Sequence, residues 1–328
     1  MKRAERGPVR RWLIWAAGFA LLAGVVIISV HLAEAEDFVR LAQEAQPRWL
    51  LIAVLLQAAT YAAQAEIWRL VGRAAESSLS FADACRISVA KQFVDQALPS
   101  MGVSGTVFTA GALAARGMSR GAAWAAVAVN LISYNGVYVV GLAAALMLGR
   151  LHGRGGAVIV AVSIVFTLLS GSLTGLMFFL PGRRSHPLSR RIAQVPLIHG
   201  MVHHLEGASA RLVRDRRPLT GATLLQMVIV ALDTLTLAVL IKSLGAPAPL
   251  AGAFVSFMLA SLVRSMGFVP GGLGTFEATS VVTLRMTGAR LSIALAATLM
   301  FRGLTFWLPM LPGLWYSRRL APAVKVRR

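Results

Sequence analysis

The chain has 328 residues, 57% of them hydrophobic, and its apolar residues fall in runs of about 20, the length a helix needs to cross a hydrocarbon core of about 30 Å. Its 33 Lys and Arg against 13 Asp and Glu leave a formal charge of +20. The basic residues flank the apolar runs and fill one long loop, a pattern that speaks for membrane orientation and anionic lipid headgroups and against nucleic acid. The single cysteine, Cys85, excludes an intramolecular disulfide and a cysteine-only metal cluster.

The N-terminal MKRAERGPVRRW precedes an apolar run, Trp12–Ala33, that is too long for the core of a signal peptide and reads as a retained first span. After an external loop, Glu34–Arg48, the predicted crossings are Trp49–Val71, Ala122–Leu148, Ala157–Leu180, Leu219–Ile241 and Leu291–Tyr316. Two further segments, Phe81–Arg116 and Leu250–Arg285, are apolar but broken in the middle by Pro and Gly. If each enters and leaves on one side, the N-terminus, the loop Pro181–Pro218 with its eight arginines and the tail RRLAPAVKVRR share a side, which is then the cytoplasm. The fold class is thus all-α, one polytopic membrane domain over residues 1–328 with six crossings and two re-entrant helical hairpins.

Punctuation recurs at an offset of 171 residues. That shift superposes Pro47 on Pro218, Pro99 on Pro270, Leu113 on Leu284 and Gly117 on Gly288. The repeating unit is span, broken hairpin, span, over residues 47–148 and 218–316, with the basic cytoplasmic loop 181–217 before the second copy. Three crossings separate the broken segments, so the copies are inverted, the arrangement in which interrupted helices of transporters meet near the midplane.

The second break reads GFVPGGLGTFEATS, Gly267 to Ser280. Backbone polar groups cannot stay unpaired in lipid, so such a turn must be buried in protein or line a wet cavity. Pro270 is expected to stop the incoming helix, Gly271, Gly272 and Gly274 to take positive φ, and Gly274 or Thr275 to cap a short outgoing helix. Its free N–H groups and positive dipole end then suit a phosphate or carboxylate. The first break, LPSMGVSGTVFTAG, offers Pro99 as the matching stop and Ser104 and Thr106 as caps or hydroxyl donors.

Charges inside spans are costly and call for a partner, a water path or a function. Asp233 lies mid-span, Arg302 well inside the last span, Arg264 six residues before Pro270 and Glu277 at the hairpin tip. Lys91 and Asp95 share a face at i, i+4, as do Glu66 and Arg69 at i, i+3. The functional reading is a wet polar cavity where Arg264, Arg302 and Lys91 attract a lipid phosphate while Glu277, Asp233 and Asp95 position those bases. The structural reading is mutual neutralisation in the pairs Arg302–Glu277 and Lys91–Asp95. His199 and His203, with Glu206 nearby, have helical spacing, but the basic loop around them reads as an interfacial helix and not a metal site.

The run VPGGLGTFEATSVVTLRMTGARLSIALAATLMFRGLTFW resembles the C-terminal signature of the lysylphosphatidylglycerol synthase transmembrane-region family, the flippase-like domain also found in multiple peptide resistance factor proteins. The matching positions are Pro270, Gly271, Gly272, Gly274, Glu277, Gly288 and Arg302. The resemblance implies a bacterial cytoplasmic-membrane protein that moves or handles lipids with charged or glycosylated headgroups, here without the aminoacyl-transferase domain of the synthases. The first break departs from the family pattern, with Ser104-Gly105-Thr106 where relatives carry Gly-Glu and a following Arg. The expected function is a flippase or scramblase for a phosphate-bearing lipid, with no cofactor, no metal and no catalytic residues. The alternatives are an intramembrane enzyme acting on a lipid phosphate or glycolipid, and a non-transporting partner of a lipid-modifying assembly. No protease or hydrolase motif supports the enzyme.

Overall fold

The computed structural model describes residues 45–98, 102–151, 208–265 and 270–320, with six isolated helical positions between 164 and 178. The expected span Trp12–Ala33, most of Ala157–Leu180, Pro99, the His199–Glu206 segment and the final basic residues lie outside the described residues. Every regular element among those described is helical, and the chain forms an all-α polytopic bundle. In order these are α1 (Pro47–Ala74), α2 (Phe81–Ala97), α3 (Val103–Ala114), α4 (Arg120–Leu151), the short α5 (Ala210–Arg214), α6 (Arg216–Ser243), α7 (Leu250–Ser265), α8 (Thr275–Met286), α9 (Leu291–Arg302) and α10 (Leu308–Leu320). A π turn, Gly303–Trp307, joins α9 to α10 without ending the helical path.

Four of these paths, Pro47–Ala74, Arg120–Leu148, Arg216–Ser243 and Leu291–Leu320, are long and apolar enough to cross a membrane. Each coincides with an expected crossing. Large apolar side chains face outward on them: Leu51 and Leu55 on α1, Val140 and Met147 on α4, and Leu311 on α10 are all at least 60% exposed. Only a lipid solvent makes such a surface stable.

The element order long helix, two short arms, long helix occurs twice, as α1–α4 and as α6–α10. The packing is duplicated too. In each half the first long helix touches the incoming arm and the closing long helix, the two arms touch each other, and the outgoing arm touches the closing helix. Across the halves, α2 packs on α10 as α7 packs on α4. The most extensive contact among described residues joins the two first helices, α1 and α6. Gln46 N donates to Ser243 O at 3.0 Å, Thr60 meets Asp233 mid-span, and Leu70 packs on Gly221, where a Cβ would come within 2.6 Å of its Cδ2. Residue numbers rise on one helix as they fall on the other, so α1 and α6 are antiparallel. Exchanging two antiparallel helices requires a pseudo-twofold axis perpendicular to them, the relation of an inverted repeat.

Local chemistry explains the element ends. Pro47 at the first helical position of α1 lacks the N–H that would be orphaned there, and the Gln46 side chain accepts from Arg48 and Trp49. Ser80 caps α2 by accepting from Asp83 N at 3.1 Å. In the second half, hydroxyls join the short helices: Thr283 Oγ1 donates to Ser256 Oγ at 2.9 Å, and Ser280 and Thr298 hydroxyls lie 2.9 Å apart. Small hydroxyl residues allow close helix approach and satisfy each other where water is absent.

The hairpin arms are short. α2 and α7 have 17 and 16 residues, and α3 and α8 have 12 each. At 1.5 Å per residue a 12-residue helix is about 18 Å long, little more than half a crossing. The described part of α7 runs to Ser265, residues 266–269 lie outside the described residues, and Pro270 opens a 3-10 turn, Pro270–Gly272.

Candidate polar site at the hairpin tips

The Pro270–Gly274 turn depends on three glycines with positive φ, Gly271 at 61°, Gly272 at 66° and Gly274 at 77°. Gly274 is the N-cap of α8, and Thr275 is its first residue, with Thr275 Oγ1 donating to Gly272 O at 3.0 Å. Close approach also demands glycine: a Cβ at Gly271 would lie 2.3 Å from Phe306 Cε2, and one at Gly272 would lie 2.3 Å from Arg264 Cγ. In the first hairpin Gly102, φ 83°, caps α3. Thr106 is not a cap, since its hydroxyl donates back to Gly102 O at 2.9 Å. Ser104 lies in the first turn of α3, whose N-cap position is Gly102.

Arg302 and Glu277 form one compact unit. Arg302 Nε donates to Glu277 Oε1 at 2.8 Å and Nη2 donates to Gly271 O at 2.9 Å, while the guanidinium lies 4.4 Å from the Phe306 ring and 5.3 Å from that of Phe276. The residues are 4% and 1% exposed. The pair therefore does not line an open wet cavity, as sequence reasoning expected. It fastens the glycine turn to the end of α9 and holds a carboxylate in the first turn of α8.

A different pair does the same in the first hairpin. Lys91 Nζ donates to Asp95 Oδ2 at 2.5 Å, and Asp95 rests against the first turn of α3. A Cβ on Gly105 would stand 2.0 Å from Asp95 Oδ1. Gly105 and Glu277 are each the third residue of their outgoing helix, α3 and α8. Asp95, reaching across from α2, fills the space a side chain at 105 would need. In each hairpin a carboxylate bonded to a base, Asp95 or Glu277, therefore lies at the first turn of the outgoing helix.

Arg264 is left over. It occupies the fifteenth position of α7, as Asp95 does of α2, and makes no hydrogen bond or ion pair with the described residues. Asp95, Asp233, Tyr134 and Tyr138 all lie within its electrostatic range. The tyrosines stack at 4.2 Å on α4, and Asp233 accepts from Thr60 Oγ1 at 3.4 Å where α1 meets α6. The structure therefore gathers Lys91, Asp95, Asp233 and Arg264 around the contact of both incoming arms with α1, α4 and α6. Arg302 and Glu277 sit beside this group, at the second tip.

The hairpins also touch. α2 contacts the Pro270–Gly272 turn, and the π turn aims Thr305 O toward α2, where Gln96 Nε2 donates to it at 3.3 Å and Gln92 Nε2 at 3.5 Å. Sequence reasoning missed this link, along with the tyrosine pair and a buried amide cluster in which Gln64 and Gln226 both donate to Asn130 Oδ1, at 3.0 and 3.1 Å. Amides and tyrosines in mid-span were the available signal. No group of three His, Cys, Asp or Glu side chains that could hold a metal occurs among the described residues.

A family model described as the lysylphosphatidylglycerol synthase TM region matches residues 15–313. The chain belongs to that family. The match extends over both halves of the bundle, well beyond the tip signature in which the resemblance was first visible. Membership gives the chain a membrane lipid-related function as an integral membrane protein. No curated protein matches the sequence.

Proposed function

We propose that this member of the lysylphosphatidylglycerol synthase transmembrane-region family is a lipid transporter of flippase or scramblase type, passing a phosphate-bearing headgroup between two inverted repeats, residues 47–148 and 218–316, while the acyl chains stay in lipid. The observation that carries the reading is Arg264, a guanidinium six residues before the Pro270–Gly274 turn, set among two carboxylates and two phenols with its donors unfilled by described residues. A cation at that depth is costly unless water or an anion meets it. A guanidinium's planar fork suits two phosphate oxygens. Lys91–Asp95 and Arg302–Glu277 position the half-helices, and Asp95 and Asp233 keep the empty site near neutrality.

In this reading both hairpins are re-entrant and their tips lie near the bilayer centre. The first opens to the end of the bundle that carries Arg69, Arg73, Arg116, Arg216, Arg217 and Arg319, against Glu66, Asp83 and Asp215. The opposite end carries Arg48, Lys242, Arg285 and Arg290. The richer basic end is cytoplasmic by the positive-inside bias. In a Cys85→Ser background, a cysteine at Ala246 should react with an impermeant maleimide added outside and one at Arg318 only after the inside is exposed. Labelling of both from one side would remove the basis for opposed repeats.

The functional test is redistribution of short-chain fluorescent phosphatidylglycerol in liposomes holding the purified protein. Movement of chemically unchanged lipid between leaflets is the expected result. A covalently altered headgroup in the extracted lipid would make the protein an enzyme, and lipid that stays in its leaflet would leave only the partner role.

A further inference from the structure

Away from the hairpin tips, a cavity of about 330 Å³ opens at the basic end of the bundle, lined by Arg86, Arg116, Trp315, Tyr316, Arg319 and Leu320. It sits where α2 begins, α3 ends and α10 ends. The position is fixed by close packing: a Cβ on Gly313 of α10 would lie 2.5 Å from Phe93 Cβ and 2.9 Å from Val89 O of α2. Among the described residues Asp83 is the one carboxylate bonded to this group, pairing with Arg86 Nη1 at 3.1 Å and Arg116 Nε at 3.3 Å. Three guanidiniums less one carboxylate leave a formal charge of +2 (3 − 1). Arg319 stacks over Trp315 at 4.1 Å, which orients its plane and leaves its N–H edge available.

We infer that this cavity is an interfacial binding site for the phosphodiester headgroup of an anionic lipid, separate from the site around Arg264 and independent of whether the protein transports lipid. The three arginines supply the anion contacts. The choice of a lipid over free phosphate rests on the π turn and α10, where Trp307, Leu308, Leu311 and Trp315 are 47%, 59%, 78% and 55% exposed. Trp307 and Leu308, then Leu311, then Trp315 follow one another at one-turn intervals and make an apolar stripe that runs along the helix up to the cavity, a track for an acyl chain whose headgroup is held at its end. Trp315 and Tyr316 line the cavity near the end of α10, and amphipathic rings of this kind are favoured at the level of lipid headgroups.

The test is native mass spectrometry of the full chain in detergent with phosphatidylglycerol, diacylglycerol and inorganic phosphate as probes. The parent should retain phosphatidylglycerol in preference to diacylglycerol, and inorganic phosphate should compete weakly. Arg86→Gln with Arg319→Gln, both at exposed positions, should weaken phosphatidylglycerol retention about tenfold while the melting temperature holds, and Arg86→Lys with Arg319→Lys should recover only part of it. Arg48→Gln with Arg285→Gln, which removes the same charge from the opposite end, should leave retention unchanged. Equal losses from both pairs, or none from either, would overturn the site. Inorganic phosphate bound as well as the lipid would make it a site for soluble anions and overturn the lipid assignment.

Discussion

Arg302→Ala should destabilise the fold by about 3–5 kcal/mol, the usual cost of breaking a buried ion pair by removing one partner. Glu277, 1% exposed, would be left with no base beside it, and Gly271 O would lose its donor. Phe276 and Phe306 would face a void in place of the guanidinium. Glu277→Ala should cost a similar amount through the stranded guanidinium. The double substitution Arg302→Met with Glu277→Leu should restore much of the folded population, because apolar groups of similar volume can replace a buried pair. Unfolding in graded denaturing detergent measures all four proteins. If Arg302→Ala were as stable as the parent, water would have to reach the pair and the latch would be wrong.

Gly271→Ala should be the other strongly damaging change. At φ 61° an L side chain costs about 1–2 kcal/mol. The new Cβ would also lie 2.3 Å from Phe306 Cε2, and overpacking of that kind adds about 1–3 kcal/mol. Phe306 cannot easily yield, since it is 1% exposed and carries Arg302 on its face. Gly288→Ala is the control, with φ 99° but nothing within 4 Å of an added Cβ. Gly271→Ala should therefore lose more stability than Gly288→Ala, and equal losses would reduce the tip to a backbone requirement without close packing.

Much of the architecture is legible in the sequence because its signals are local. Apolar runs mark the four described crossings, and Pro47 with Pro218, and Gly117 with Gly288, mark the duplication before any contact is known. The pair Lys91–Asp95 is legible for the same reason, as i, i+4 on one helix. What the chain order hides is partnership across helices. Nothing near Gly105 announces that Asp95 stands in its side-chain space, and without that contact the missing tip glutamate looks like a lost function. The sequence offers Glu277 as a partner for Arg302 but leaves open whether the pair neutralises itself or serves a ligand. Packing decides between these, enclosing Arg302 between two rings and a carboxylate and leaving Arg264 among more distant groups. The π turn after Arg302 carries no sequence mark, although the Thr305 carbonyl within it ties the second repeat to α2.

The central claim is that Arg264 receives the phosphate of a passing lipid. The direct measurement is the rate at which fluorescent phosphatidylglycerol equilibrates between leaflets in liposomes containing the parent, Arg264→Lys or Arg264→Gln, with diacylglycerol as the uncharged probe. Glutamine keeps the Cβ–Cγ stem that packs on Gly272, so the turn should survive. Rates should be at least about tenfold lower for Arg264→Gln, from the loss of a charge-assisted hydrogen bond worth about 1.5 kcal/mol or more, with Arg264→Lys intermediate. Diacylglycerol should gain nothing from the protein. A parent that moves both lipids equally, or a folded Arg264→Gln protein as fast as the parent, would contradict that claim.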